Sequence, residues 1–161
     1  MAVLTKTPTV LRMLKEDHKK VKALFEEFEE ASDKRTRARL VLDGVKELEV
    51  HAAIEEELVY PAIREGLDED DLMDEALEEH HVAHVLINEL KDMSPEDERY
   101  FAKFTVLAEN IRHHIKEEEG EMLPQAADAE LDWEALQQSV EQRKEQLLAE
   151  GSHNGSKRTK R

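Results

Sequence analysis

Apolar residues recur at alternating spacings of three and four along most of the chain, the pattern of helices that each bury one stripe. Four long segments carry it. The first spans about residues 8–31, with Pro8 where the opening turn of a helix has no hydrogen bond to lose. The second spans about 36–64 and closes near Pro61 and Gly66, and the third covers about 70–92. The fourth opens at Ser94-Pro95-Glu96-Asp97, a capping residue followed by a proline and acids that suit a helix N-terminus. It runs to about Met122, with Pro124 as its stop. Short connections make successive helices antiparallel, so the pattern predicts an all-α fold, an antiparallel up-down-up-down four-helix bundle. An additional C-terminal helix over 132–150 aligns Trp133, Leu136, Val140 and Leu147, a stripe suited to packing on the bundle or on a second subunit in a homodimer. Residues 1–150 are thus expected to form one bundle domain with its extra helix, and 151–161, polar with a basic end, a disordered tail in which His153 is solvated.

The polar residues on the buried stripes are the informative ones. The first seam reads Leu11, Leu14, His18, Val21, Phe25, Phe28, and the second Val41, Gly44, Leu48, His51, Glu55, Leu58, Ala62. The third reads Met73, Leu77, His80, His84, Ile87, and the fourth Phe104, Leu107, Ile111, His114, Glu118. Every seam is apolar except near its middle, where histidine and glutamate replace leucine. At about 1.5 Å rise per residue, His18 and His51 lie at similar depths of about 20 Å from the turn between their helices, and His51 and His80 roughly 15–20 Å from the next. His114 comes out deeper from the third turn than His80. A single polar layer across the bundle is the expectation, and leaving it uncompensated costs several kcal/mol for each buried charge. The same frame, His-x3-Glu-x5-Pro, occurs as His51…Glu55…Pro61 and His114…Glu118…Pro124, which points to a quasi-symmetric site. His81 and His113 are rotated about 100° from the seam and Glu56, Glu57, Glu117 and Glu119 fall on solvated faces. Tyr60 is assigned to packing near a helix end.

Composition narrows the chemistry. The 161 residues include five glycines, four prolines and no cysteine, so thiolate metal sites, disulfides and iron–sulfur clusters are excluded. A formal charge of −16 disfavours a nucleic-acid partner, and no apolar run is long enough for a signal peptide or a membrane span, so a cytoplasmic protein is expected. Nitrogen and oxygen donors suit Fe, Mn, Zn, Cu or Ni, with the carboxylates favouring Fe or Mn. Seven candidate ligands, His18, His51, Glu55, His80, His84, His114 and Glu118, are too many for one ion. Two ions sharing the carboxylates and an oxo or hydroxo bridge would leave about one open position.

The ordered set His18, His51-x3-Glu55, His80 with His84, and His114 followed by Glu118 and Glu119 resembles the hemerythrin-like, or HHE cation-binding, family over about residues 9–124. The resemblance implies a four-helix bundle around a non-haem di-iron centre, with histidine ligation at His18, His51, His80 and His114 and bridging carboxylates. In the family's oxygen carriers the last carboxylate is an aspartate five residues after its histidine, which would select Glu119; the seam phase here selects Glu118. The rival ferritin-like pattern, Glu-x2-His on two helices, is met only by Glu78 and His81, off the seam. The expected function is binding of O2, NO or peroxide at the two iron ions, for sensing or for oxidative or nitrosative protection. The alternatives are a di-iron enzyme for peroxide breakdown or NO reduction and an iron-responsive regulatory or storage module.

Overall fold

The computed structural model describes residues 7–158, and side chains as far as residue 150. The basic end of the chain, including the His153 side chain, lies outside those bounds. Among the described residues there are five long helices and no strand. Helix α1 is Thr9–Glu30. Helix α2 runs Lys34–Ile54, passes through a π-helical turn at Glu55–Val59 and continues as Tyr60–Gly66. Helix α3 is Asp70–Asp92. Helix α4 repeats the plan of α2: Tyr100–Glu117, a π turn at Glu118–Met122, then Leu123–Ala127. Helix α5 is Trp133–Arg158, continuing past Glu150 into the segment expected to be a tail.

Local chemistry sets these boundaries. Asp33 caps α2, its carboxylate accepting from the Thr36 amide at 3.0 Å and the Thr36 hydroxyl at 2.9 Å, so the helix starts at Lys34 rather than Thr36. The acidic stretch after α3 does not open α4. Asp97 accepts from the Ser94 amide at 2.8 Å and Ser94 Oγ from the Glu96 amide at 3.1 Å, closing a turn that delays the helix to Tyr100. That delay removes the depth mismatch at His114: it lies about 21 Å from the start of α4, against about 18 Å for His80 from the end of α3.

Neither Pro61 nor Pro124 ends its helix. A proline inside an α-helix clashes with the carbonyl four residues back and lacks an N–H to bond it. Here a π turn precedes each proline, and Tyr60 and Leu123 donate five residues back to the carbonyls of Glu55 and Glu118. The inserted residue also shifts the buried stripe. After Glu55 the buried positions are Val59, Tyr60 and Ile63, not the expected Leu58 and Ala62. In α3 the buried line is Met73, Ala76, His80, Ala83, Ile87 and Leu90, so Leu77 and His84 fall beside it.

The core consists of two apolar clusters. One gathers Val21, Phe25, Phe28, Leu48, Phe104 and Leu107 among others; the second gathers Leu11, Leu14, Ile54, Val59, Ile63, Met73 and Met122. Helix α5 closes the second, with Val140 buried and Trp133, Leu136 and Leu147 packed against it, so its stripe is spent on its own bundle. Between the clusters lie the buried polar residues Asp17, His18, His51, Glu55, His80, His114 and Glu118. Phe104, fully buried and stacked edge-on against Phe25 and Phe28, tests the first cluster. Phe104→Ala should lower unfolding free energy by about 3–5 kcal/mol in a urea titration, with metal stoichiometry retained below the transition.

Candidate metal centre

Four helices each deliver histidine to one level of the bundle: His18 from α1, His51 from α2, His80 from α3 and His114 from α4. Glu55 and Glu118 follow their histidines by four residues, one turn on and on the same face, at the first position of each π turn. The donor atoms fall into two overlapping groups, His18, His51, Glu55 and Glu118, and Glu55, His80, His114 and Glu118, each with its atoms within 4.8 Å of one another. Both carboxylates belong to both groups. That is the arrangement in which a pair of carboxylates spans two cations.

Several of these atoms are buried without a hydrogen-bond partner: both ring nitrogens of His18, His51 Nε2, both Glu55 oxygens, His114 Nδ1 and Glu118 Oε1. His51 Nε2 and Glu55 Oε1 approach to 3.0 Å without hydrogen-bond alignment. Unpaired polar atoms this deep are costly unless a cation meets them, so the residues fit a bound metal.

Behind each imidazole stands a carboxylate. Asp17 Oδ2 lies 3.1 Å from His51 Nδ1, Glu56 Oε2 3.0 Å from His80 Nδ1, Glu119 Oε2 3.5 Å from His18 Nδ1 and Glu79 Oε1 3.5 Å from His114 Nδ1. An outer carboxylate fixes the ring's orientation and tautomer and raises its basicity toward a metal on Nε2. Asp17 is itself held by Lys144 of α5 at 2.9 Å, and Arg143 pairs with Glu57 of α2 at 2.7 Å, so α5 reaches the centre through Asp17.

Three placements differ from expectation. His84 joins neither donor group; its Nε2 bonds Glu56 Oε2 at 2.8 Å, because the buried line of α3 passes through Ala83. Tyr60 is in the site: its hydroxyl donates to Glu118 Oε2 at 3.1 Å and lies 3.2 Å from both His80 Nε2 and His114 Nε2. Glu56 and Glu119 serve histidines rather than solvent alone. Of the two candidate last carboxylates, Glu118 is buried within both groups, while Glu119 lies against the outer nitrogen of His18 and against Lys22.

Electrostatics follow the crowding. Burial opposes charge on His51, but the adjacent Glu55 carboxylate and the bond to Asp17 outweigh it and raise its pKa well above that of a free imidazole. His80 is likewise disfavoured by burial yet raised to about 9 by Glu55 and Glu56. Burial, then the charge of Glu55, lifts Glu118 to about 7. Burial and the neighbouring His51 charge push His18 down to about 3, leaving it neutral.

A four-helix bundle with two histidine–carboxylate groups sharing both carboxylates is able to hold metal. The chain belongs to the hemerythrin family: the hemerythrin HHE cation-binding domain model matches residues 9–126. The structure is similar to that of an HHE cation-binding domain-containing protein from Mycobacterium kansasii, with TM-score 0.72 and 28% identity over 93% of this chain and 92% of that one. The chain is 31% identical over 110 residues to a DNA nickase from Nostoc, covering 68% of this chain and 30% of the nickase. It is 26% identical over 110 residues to an uncharacterized hemerythrin-like protein from Schizosaccharomyces pombe, covering 67% of this chain and 54% of that protein. The chain therefore spans about a third to a half of the length of the nickase and the Schizosaccharomyces protein. Among the described residues no helix is long and apolar enough to cross a membrane.

Two outcomes test the centre. Asp17→Asn removes the acceptor that orients His51, and metal affinity by competition with a chelator should fall about 10–100-fold. Ligation needs neutral imidazole, and His51 and His80 carry protons at pH 7 in the metal-free protein. Metal uptake at pH 7 should then release on the order of two protons per chain in weakly buffered solution. Affinity should rise with pH, and still be rising at about 9 as His80 loses its proton; a pH-independent affinity would contradict this charge assignment.

Proposed function

We propose that this protein is a non-haem di-iron protein that binds O2, NO or peroxide for sensing or for protection. The observation that carries the reading is the sharing of Glu55 and Glu118 by two histidine pairs. With iron bound, the centre would supply electrons and an open coordination position to a small ligand. His18, His51, His80 and His114 would hold the ions, Glu55 and Glu118 would span them, and the Tyr60 oxygen stands where a seventh donor would, in place of His84. An all nitrogen-and-oxygen donor set with two carboxylates favours iron or manganese over copper or nickel.

The cavity beside the centre supports the ligand size. It holds about 30 Å³ and is walled by Val21, Leu48, Ala83, Ile87, Ile111 and Ile115 together with the histidines. A water needs roughly 10–15 Å³ of such space, so a diatomic molecule or peroxide fits and a metabolite does not. Apolar walls keep bulk water out, the condition under which a bound gas persists. A net charge of −16 supports the absence of a nucleic-acid partner.

One observation favours the enzymatic alternative, peroxide breakdown or NO reduction. The Tyr60 hydroxyl bonded to Glu118 offers a proton inside the site, and burial together with the charges of Glu55 and Glu118 raises its pKa well above that of free tyrosine, so it stays protonated in the metal-free protein.

Metal analysis of protein purified from iron-replete cells should give about two irons per chain, with near-ultraviolet bands that peroxide perturbs. One zinc, or none, would sink the di-iron reading. Tyr60→Phe separates the two roles. In an enzyme that uses the phenol as acid, peroxide turnover should fall about 100-fold or more with iron content unchanged. In a binder, the variant should alter ligand dissociation and leave no turnover to lose.

A further inference from the structure

We propose that Glu79, His113 and Glu117 form a second, surface divalent-cation site that passes metal to the buried centre through the gap between α3 and α4. The proposal rests on the buried centre being a metal site. Ligand atoms of the three residues lie within 4.8 Å of one another, and His113 Nε2 is 3.0 Å from Glu117 Oε1. They are accessible from solvent, with side chains 23% exposed at Glu79, 67% at His113 and 35% at Glu117.

Their positions echo the centre. Each outer residue immediately precedes an inner donor: Glu79 before His80, His113 before His114, Glu117 before Glu118. His113-x3-Glu117 is the same one-turn pair as His114-x3-Glu118, rotated by about 100° toward solvent. The outer trio therefore sits over the inner one, across the same pair of helices.

The space between them is continuous in its lining. A surface cavity of about 200 Å³ is bounded by Glu75, Glu79, Val82, Asn110, His113 and Glu117. Beneath it a void of about 10 Å³, one water in size, is bounded by Glu75, Glu79 and Glu117 again and reaches His114 and Glu118. Buried His114 turns an Nδ1 that lacks a hydrogen-bond partner toward Glu79, 3.5 Å away. An ordinary helix-surface ion pair would need only His113 and Glu117. Here a second carboxylate is brought against that pair, leaving excess negative charge that a cation offsets. The larger cavity between α2, α3 and α5 has no such excess, since Lys46 and Lys91 stand there beside Glu49 and Glu150.

The test uses the full-length metal-free protein with Co2+ as probe, comparing wild type with the double variant His113→Ala/Glu117→Gln, which leaves every inner donor in place. Equilibrium dialysis counts bound ions, and stopped-flow absorbance follows filling of the buried centre. Wild type should take up one weakly held ion more than the variant. The variant should fill its centre about tenfold or more slowly, because a focused negative potential raises local cation concentration by at least that factor, and should reach the same final occupancy. Equal ion counts and equal filling rates would overturn the proposal. Loss of the extra ion with unchanged filling would overturn the delivery role and leave a surface site. If the buried centre of wild type takes up no metal while the variant still loses one ion, the di-iron reading fails and the surface site stands.

Discussion

Everything in this bundle is arranged around two carboxylates, Glu55 and Glu118, buried at its midline and close enough to share the same imidazoles. Two like charges in a dry interior repel, and each would be costly alone. The protein responds by placing a histidine from every one of four helices around them and a second layer of carboxylates behind the histidines. Carboxylates and imidazoles thus alternate outward from the middle, with His18 the neutral member of the histidine layer. Apolar clusters lie on either side of this level, and the buried polar residues form the layer between them.

The π turns are the structural expression of that constraint. Each begins at one of the two buried glutamates and ends just before a tyrosine–proline or leucine–proline pair. The extra residue absorbs the proline without breaking the helix and rotates everything beyond it. On α2 that rotation carries Tyr60 into the site; five residues past Glu55 in a regular α-helix it would point about 140° away. On α4 the corresponding residue is Leu123, which packs into the core. The His-x3-Glu-x5-Pro repeat is thus a repeat of geometry that ends in different chemistry, and the quasi-symmetric site has a hydroxyl on one side only.

This explains what the sequence disclosed and what it withheld. The four histidines and two glutamates lie where a plain three-four stripe puts them, because the regular helix runs unbroken from each seam to its glutamate. Prediction by that stripe failed beyond the glutamates, at Leu58, Ala62 and Tyr60, where the π turn changes the phase. His84 was misplaced for a different reason: position 83 or 84 continues the stripe equally well, and alanine at 83 gave no sign that it was the buried one. The outer carboxylates were invisible to seam reasoning, since Asp17, Glu56, Glu79 and Glu119 sit beside the stripe. The available signal was adjacency: Asp17 precedes His18, Glu56 follows Glu55, Glu79 precedes His80 and Glu119 follows Glu118.

The two flanks of the centre differ in kind. Toward one side lie isoleucines, leucine, valine and alanine around a space of about 30 Å³; toward the gap between α3 and α4 lie carboxylates. A cation and a neutral gas have opposite requirements on a path to the same buried point: the cation must exchange its hydration for fixed oxygens at every step, whereas the gas is favoured where water is excluded. Under the proposed function the apolar flank suits the gas and the carboxylate flank suits the cation. A third contact runs from α5 through Lys144 to Asp17 and on to His51, so one carboxylate joins that helix to a histidine of the buried layer. The charge on His51 is therefore linked through Asp17 to Lys144, where α5 meets the bundle.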